Sequence, residues 1–248
     1  MRIEKKKMNE NSRRNQNVNS KRVRKTFRSG ISGAESSEKN IIEACDIAKK
    51  YHVNAVNVNS CWAELIVEQL KGSDVGPSAV VGFPYGAMST KSKLFELQEM
   101  VDLGCTACDM VINIGAVRDG NWDLVRYEVS EFVRICGDKC DTKLIFEVEF
   151  LTDEEIAKLT QICCECGVTY VKTATGSQAF PTEHQVRIMK ENLSGNTKIK
   201  VSGVPRTFTM AAALYMFEHL GVSLCGTRSA GRLVQEYSDY LKELEEDK

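Results

Sequence analysis

No stretch of this chain approaches the roughly 18 uninterrupted apolar residues of a membrane-spanning helix. The N-terminus is polar and charged without an apolar h-region, so a secretory signal is not expected, and neither is a membrane partner; a cytoplasmic location is. Histidine is scarce: His52, His184 and His219 stand far apart. Cys105-Thr106-Ala107-Cys108 forms one C-x-x-C, but no second follows at zinc-ribbon spacing, so no metal is expected. The ten cysteines read as reduced thiols, which behave as small apolar core residues and suit a reducing compartment. A thiol or zinc site at Cys105 and Cys108 is the lesser alternative. No Gly-rich dinucleotide or P-loop turn follows an early strand, so no nucleotide cofactor is expected.

What is present is ordinary for a globular domain: 42% hydrophobic and 27% charged residues over 248 positions, a length that suits a single α/β barrel. The net charge of −1 is unevenly spread. Residues 1–28 carry eleven Lys and Arg against Glu4 and Glu10. With Asn and Ser between the charges and almost no aromatics, residues 1–22 are expected to form a basic, disordered tail, with the folded domain spanning 23–248. The acidic remainder argues against nucleic acid as a partner.

Strand-like and helix-like periods then alternate. Strands are expected at Arg22–Arg28, Val53–Asn59, Ser78–Phe83, Cys108–Asn113, Lys143–Glu149, Tyr170–Thr175, Lys198–Ser202 and Ser223–Arg228. Helices are expected between them, with caps at Ser36 or Ser37, at Ser89 or Thr90, and in the capping boxes Thr152-x-x-Glu155 and Thr182-x-x-Gln185. Eight strands each followed by a helix indicate a (β/α)8 TIM barrel, a single α/β domain with a basic N-terminal extension.

The active site of that architecture lies at the C-terminal strand ends. Read there, the chain offers Asn57 and Asn59, Phe83, Asp109 with Asn113, Glu147 with Glu149, Lys172, Lys200 with Ser202, and Thr227 with Arg228. Lys172 has no acidic residue within five positions, and Lys200 falls on the adjacent strand. Two ammonium groups in one desolvated pocket repel, and burial also favours the neutral amine, the form that attacks a carbonyl to give an iminium. Lys172 as nucleophile, Lys200 as its cationic neighbour and Asp109 as proton relay would meet that chemistry. An Asp–Lys pair that merely braces the barrel is the structural alternative. Gly176, Gly203 and Gly226 follow strands six to eight, where backbone N–H groups bind phosphate in this fold, with Ser202, Arg206, Arg228 and Ser229 in support.

The segments CDMVINIGA (Cys108–Ala116), VGFPYGAMSTKSKLFE (Val81–Glu96), YVKTATG (Tyr170–Gly176) and KVSGVPRT (Lys200–Thr207) resemble those of deoxyribose-phosphate aldolases, and the likeness spans roughly residues 40–235. The resemblance implies a metal-free, cofactor-free class I aldolase that joins acetaldehyde and glyceraldehyde 3-phosphate reversibly, usually as a homo-oligomer. It implies that Lys172 matches the Schiff-base lysine, Asp109 the relay aspartate and Lys200 the second lysine. The chain also departs from the pattern. The family's Asp-His-Thr on strand one is replaced by Thr-Phe-Arg-Ser within Lys25–Ser32, a strand-two cysteine by Asn57, and the second glycine after Ser202-Gly203 by Val204. A serine position after strand eight holds Arg228. These departures leave open a divergent aldolase acting on another phosphorylated or acidic aldehyde, or a non-catalytic barrel that binds a sugar phosphate.

Overall fold

Short runs of buried, largely β-branched and small residues supply eight strands, and glycine, capping residues or turns separate each from a helix. In a computed structural model, residues 23–178, 180–205 and 207–246 are described. The expected tail at 1–22 and the candidate Arg206 lie outside the described residues. The strands are β1 (Phe27–Ile31), β2 (Ala55–Val58), β3 (Gly76–Val81), β4 (Ala107–Val111), β5 (Asp141–Ile145), β6 (Tyr170–Lys172), β7 (Lys198–Val201) and β8 (Val222–Thr227). All neighbours pair in parallel, and β8 returns to β1 through Phe27–Cys225 and Ser29–Thr227, closing an eight-stranded (β/α)8 barrel.

The helices are α1 (Glu38–Tyr51), α2 (Ala63–Gln69), α3 (Thr90–Asp102), α4 (Ile114–Arg118), α5 (Trp122–Cys136), α6 (Asp153–Cys166), α7 (Glu183–Glu191), α8 (Met210–His219) and α9 (Ala230–Glu246). Ser37, Thr152 and Thr182 each form a full capping box with the residue three positions on, satisfying two orphan N–H groups apiece. Ser89 caps α3. The apolar core lies between strands and helices, in one cluster built around Met110, Phe132 and Phe146 and another around Phe27, Ile41 and Leu233.

Two strands differ from the expected ones for identifiable reasons. β1 begins five residues later than predicted, because Thr26 closes a turn by donating from both its N–H and Oγ1 to the Val23 carbonyl. Its apolar signal is weak because Arg28 and Ser29 are themselves buried. β5 ends at Ile145, not Glu149: Glu147 takes a left-handed φ of 55°, and Val148–Phe150 form a single 3₁₀ turn. The alternation through KLIFEVE mimics a longer strand because Phe146 and Val148 are both buried. The remaining strands also shift or shorten by up to three residues at one or both ends. α2 is entered through the 3₁₀ turn Ser60–Trp62. The five-residue α4, capped by the Asn113 side chain, has no counterpart in the sequence pattern.

Candidate active site

Alternation along parallel strands turns every second side chain into the barrel, and here that lining is charged. β4 contributes Asp109, β5 Lys143, β6 Lys172, β7 Lys200 and β1 Arg28, all buried. Lys172 and Lys200 are direct register partners on β6 and β7. Both ammonium groups donate to the same oxygen of Asp109, Oδ2, with Lys172 Nζ at 2.8 Å and Lys200 Nζ in a short contact. Lys143 Nζ lies 3.8 Å from the other oxygen, Oδ1. Neither Lys143 Nζ nor Asp109 Oδ1 has a hydrogen-bond partner, and neither does Arg28 Nε. Arg28 Nη1 donates to Ser78 Oγ at 3.4 Å, and Ser78 Oγ donates to Asn57 Oδ1 at 2.8 Å.

One carboxylate therefore faces four cationic side chains. Burial alone would raise the Asp109 pKa, but Lys172, Lys200, Lys143 and Arg28 hold it well below the usual carboxylate range. Burial pushes Lys200 well below the ordinary lysine value; Asp109 opposes that shift, while Lys172, Arg28 and Lys143 add to it. Lys143 is pushed down to about 8, first by burial and then by Arg28. Glu147, expected at a strand end facing the site, sits beneath the β6 loop. Both of its oxygens accept from the Thr175 N–H at 3.2 Å, and burial raises its pKa. Glu149 is exposed and accepts from the Phe180 N–H at 3.2 Å.

A pocket of about 360 Å³ opens above this centre, with Lys172, Lys200 and Asn57 in its wall. Its rim is formed by Gly176, Ser202, Gly203 and Val204 from the loops after β6 and β7, and by Gly226, Arg228 and Ser229 from the end of β8 and the loop after it. The structure thus brings Lys172, Lys200, Asn57, Thr227 and the candidate loop residues around one cavity, with Asp109 buried beneath. Asn59 and Phe83 instead line a separate pocket, Asn113 caps α4, and Glu147 and Glu149 hold the loop after β6. Gly176 and Gly203 have φ of 80° and 83°, and a Cβ on Gly176 would sit 3.2 Å from Gly203 Cα. Those two loops touch backbone to backbone, which only glycine allows. A Cβ on Gly226 would lie 2.4 Å from Ser202 Oγ. The Ser229 N–H donates to Thr227 Oγ1 at 3.1 Å immediately before α9 begins. Val204 lines the pocket while packing partly against the apolar core.

Sequence reasoning missed Lys143, Arg28, Ser78 and Glu35. Lys143 carried a usable signal, a third lysine on a buried strand, and its Cα pairs with Asp109 in the β4–β5 ladder. Glu35, from the loop after β1, reaches to 3.8 Å of the Arg228 guanidinium, and nothing in its local sequence marked it. Cys105 and Cys108 are buried free thiols, and among the described residues no group of three or more His, Cys, Asp or Glu side chains is arranged to hold a metal ion.

No family model matches the chain. It is 36% identical over 203 residues to the deoxyribose-phosphate aldolase of Geobacillus sp. (strain WCH70), covering 82% of this chain and 90% of that one. It is also 36% identical over 194 residues to the deoxyribose-phosphate aldolase of Mycoplasma capricolum, covering 78% of this chain and 86% of its relative. Among solved structures, one described as "QR15, an Aldolase" superposes with a TM-score of 0.82 at 30% identity, covering 90% of this chain and 98% of that one.

Proposed function

The chain belongs to the deoxyribose-phosphate aldolase family, and we propose that it cleaves 2-deoxy-D-ribose 5-phosphate reversibly to acetaldehyde and D-glyceraldehyde 3-phosphate. The observation that carries the reading is the sharing of Asp109 Oδ2 by Lys172 and Lys200 at the base of the pocket. In this reading the Lys172 amine attacks the open-chain aldehyde carbon, and loss of water from the carbinolamine gives an iminium. The iminium accepts the electron pair as the C2–C3 bond breaks, so the chemistry needs no metal or organic cofactor. The C3 hydroxyl proton leaves, glyceraldehyde 3-phosphate departs, and the remaining enamine is reprotonated at C2. Hydrolysis then frees acetaldehyde. Asp109, 2.8 Å from Lys172 Nζ, relays protons, directly or through one water. Lys200 donates to the same Asp109 oxygen beside the reacting nitrogen, and that contact favours its charged form against the burial that lowers its pKa.

The phosphate is assigned to the rim: the backbone of Gly176, Ser202, Gly203, Val204 and Gly226, the N–H groups at the start of α9 near Ser229, and the Arg228 side chain. Arg206 belongs to the same assignment by its place in the chain. Borohydride added with acetaldehyde is expected to fix an ethyl group on Lys172, located by peptide mass mapping, and Lys172→Met is expected to abolish both the adduct and turnover. An adduct on another lysine, or none, would overturn the assignment.

A second reading, a different phosphorylated or acidic aldehyde, is favoured by the buried Arg28 and by Arg228 at the rim. Retro-aldol assays over a panel of sugar phosphates distinguish the two. A non-catalytic binding barrel would instead show thermal stabilisation by the same compounds without turnover. The reading also includes a homo-oligomer, supported by the exposed Tyr85 and Phe95 and tested by light scattering. A cytoplasmic location is supported by ten cysteines that are all free thiols.

A further inference from the structure

Away from the pocket, at the N-terminal end of the barrel, three thiols meet in one corner. Cys108 lies on β4 immediately before Asp109, Cys136 ends α5, and Cys140 sits in the turn between α5 and β5, three residues before Lys143. The Cys108 and Cys140 sulfurs are 3.5 Å apart. All three residues are buried, yet Cys140 borders a polar cavity of about 460 Å³ that also touches Thr106, Asp138 and Thr169. That cavity gives a small polar molecule a route to one thiol of the pair. Contacts with Cys108 and Cys136, aided by Lys143, pull the Cys140 thiol down, while contacts with Cys136 and Cys140, and burial, push Cys108 up. Cys140, which borders the cavity, is thus the sulfur placed to meet an oxidant, and Cys108, 3.5 Å away, is placed to resolve it.

We propose that Cys108 and Cys140 are an oxidation-sensitive pair that a small hydroperoxide closes to a disulfide, shifting Asp109 and Lys143 and slowing the reaction of the barrel centre. In the first step the Cys140 thiolate attacks the terminal peroxide oxygen. The O–O bond breaks, and the leaving alkoxide takes up a proton to depart as an alcohol (water, from hydrogen peroxide). Cys140 becomes a sulfenic acid. The Cys108 sulfur then attacks the Cys140 sulfur, the S–O bond breaks, and the hydroxyl leaves as water with the Cys108 proton. Two thiols lose two electrons and two protons, and one peroxide is reduced.

The bridge requires the sulfurs to close to about 2.05 Å. Cys108 is held in the β4 ladder, whereas Cys140 lies in a bend, so the turn at 137–140 moves most. Asp141, the next residue, pairs with Ala107 and donates its N–H to Thr106, so the pull passes into β5 and to the Lys143–Asp109 pair.

The test is titration of the intact protein with hydrogen peroxide, trapping of remaining thiols with iodoacetamide, and non-reducing peptide mapping. The expected product is a Cys108–Cys140 cross-linked peptide, two hydrogens lighter than its parts. Turnover is expected to fall on the order of tenfold or more, as a displacement of reacting groups approaching 1 Å produces, and dithiothreitol should restore it. Cys140→Ser should keep basal activity and lose the sensitivity. Oxidation confined to the exposed Cys61, or a cross-link that leaves turnover unchanged, overturns the proposal. So does a Cys140→Ser protein as sensitive as the parent. The turnover readout rests on the aldolase reading, while the cross-link does not. Failure of the two is therefore distinguishable, and the unsubstituted protein alone decides the outcome if the variant does not fold.

Discussion

A single buried carboxylate, Asp109, organises the interior, and its neighbours differ in what they contribute. Lys172 and Lys200 satisfy one of its oxygens, while Lys143 stands off from the other with no hydrogen bond. Lys143 has its pKa lowered from 10.5 to about 8 on folding. Below about pH 8 it is protonated in both states and its burial penalty is fully present. Between pH 8 and 10.5 the unfolded chain holds the extra proton, so this group makes stability rise with pH by on the order of 3 kcal/mol. Urea unfolding at pH 7.5 and 9.5 should show about 2 kcal/mol of that rise from Lys143. Lys143→Met should reduce the measured rise by about that amount, leaving what Lys200 and Lys93, also lowered on folding, contribute. A second buried pair has a purely structural role. Glu128 Oε2 accepts from Lys93 Nζ at 2.6 Å and from the Asn113 N–H at 3.1 Å, and Oε1 accepts from Thr90 Oγ1. Lys93 also donates to the Gly86 and Val111 carbonyls. Glu128→Ala leaves that ammonium buried without its countercharge and is expected to cost about 3–5 kcal/mol in urea unfolding at pH 7.

The decisive elements are the loops that follow β6, β7 and β8, not the strands themselves. Gly176 and Gly203 allow two of these loops to touch, and Gly226 leaves room for the Ser202 hydroxyl and the Lys200 side chain. In Gly226→Ala the new Cβ would lie 2.4 Å from Ser202 Oγ and 3.3 Å from Lys200 Cε, so the β7 loop must give way. Overpacking of this kind typically costs 1–3 kcal/mol, and steady-state kinetics should show kcat/KM for 2-deoxyribose 5-phosphate reduced about tenfold or more. Unchanged kinetics would show that the loop adjusts freely. The sequence placed Gly176 and Gly203 after their strands, though β6 already ends at Lys172. It put Gly226 after β8, whereas the structure has that glycine inside the strand (Val222–Thr227). It misplaced the end of β5 because a buried left-handed residue, Glu147, has the same apolar neighbours as a strand residue. It misplaced the start of β1 because the turn that Thr26 closes onto the Val23 carbonyl leaves no mark in the residue pattern.

At the scale of the whole molecule, barrel closure converts eight local patterns into one site. Residues as far apart as Asp109 and Lys200, 91 positions along the chain, become hydrogen-bonded only because β4 and β7, three strands apart, both face the interior of a narrow closed cylinder. A ligand that bridges the centre and the loops at the pocket rim ties several such segments together, and it stabilises the folded barrel by mass action. With Lys172→Met, which should bind without turnover, 2-deoxyribose 5-phosphate at a hundredfold excess over its Kd should add about 2.7 kcal/mol. Differential scanning calorimetry should register that as roughly 5–10 °C in Tm. The sequence by itself determined the alternation of strand and helix, the Thr152 and Thr182 capping boxes, and the positions of Lys172, Lys200 and Asp109 on their strands, because residue period and turn chemistry are properties of neighbours in the chain. The structure chose Ser37 over Ser36 and Ser89 over Thr90 as caps. Only the tertiary structure decided that Lys143 and Arg28 join that trio, that Glu35 meets Arg228, and that Cys108 and Cys140 come within reach of each other. Those meetings depend on how strands stagger and helices pack around a closed barrel, and no local spacing encodes them.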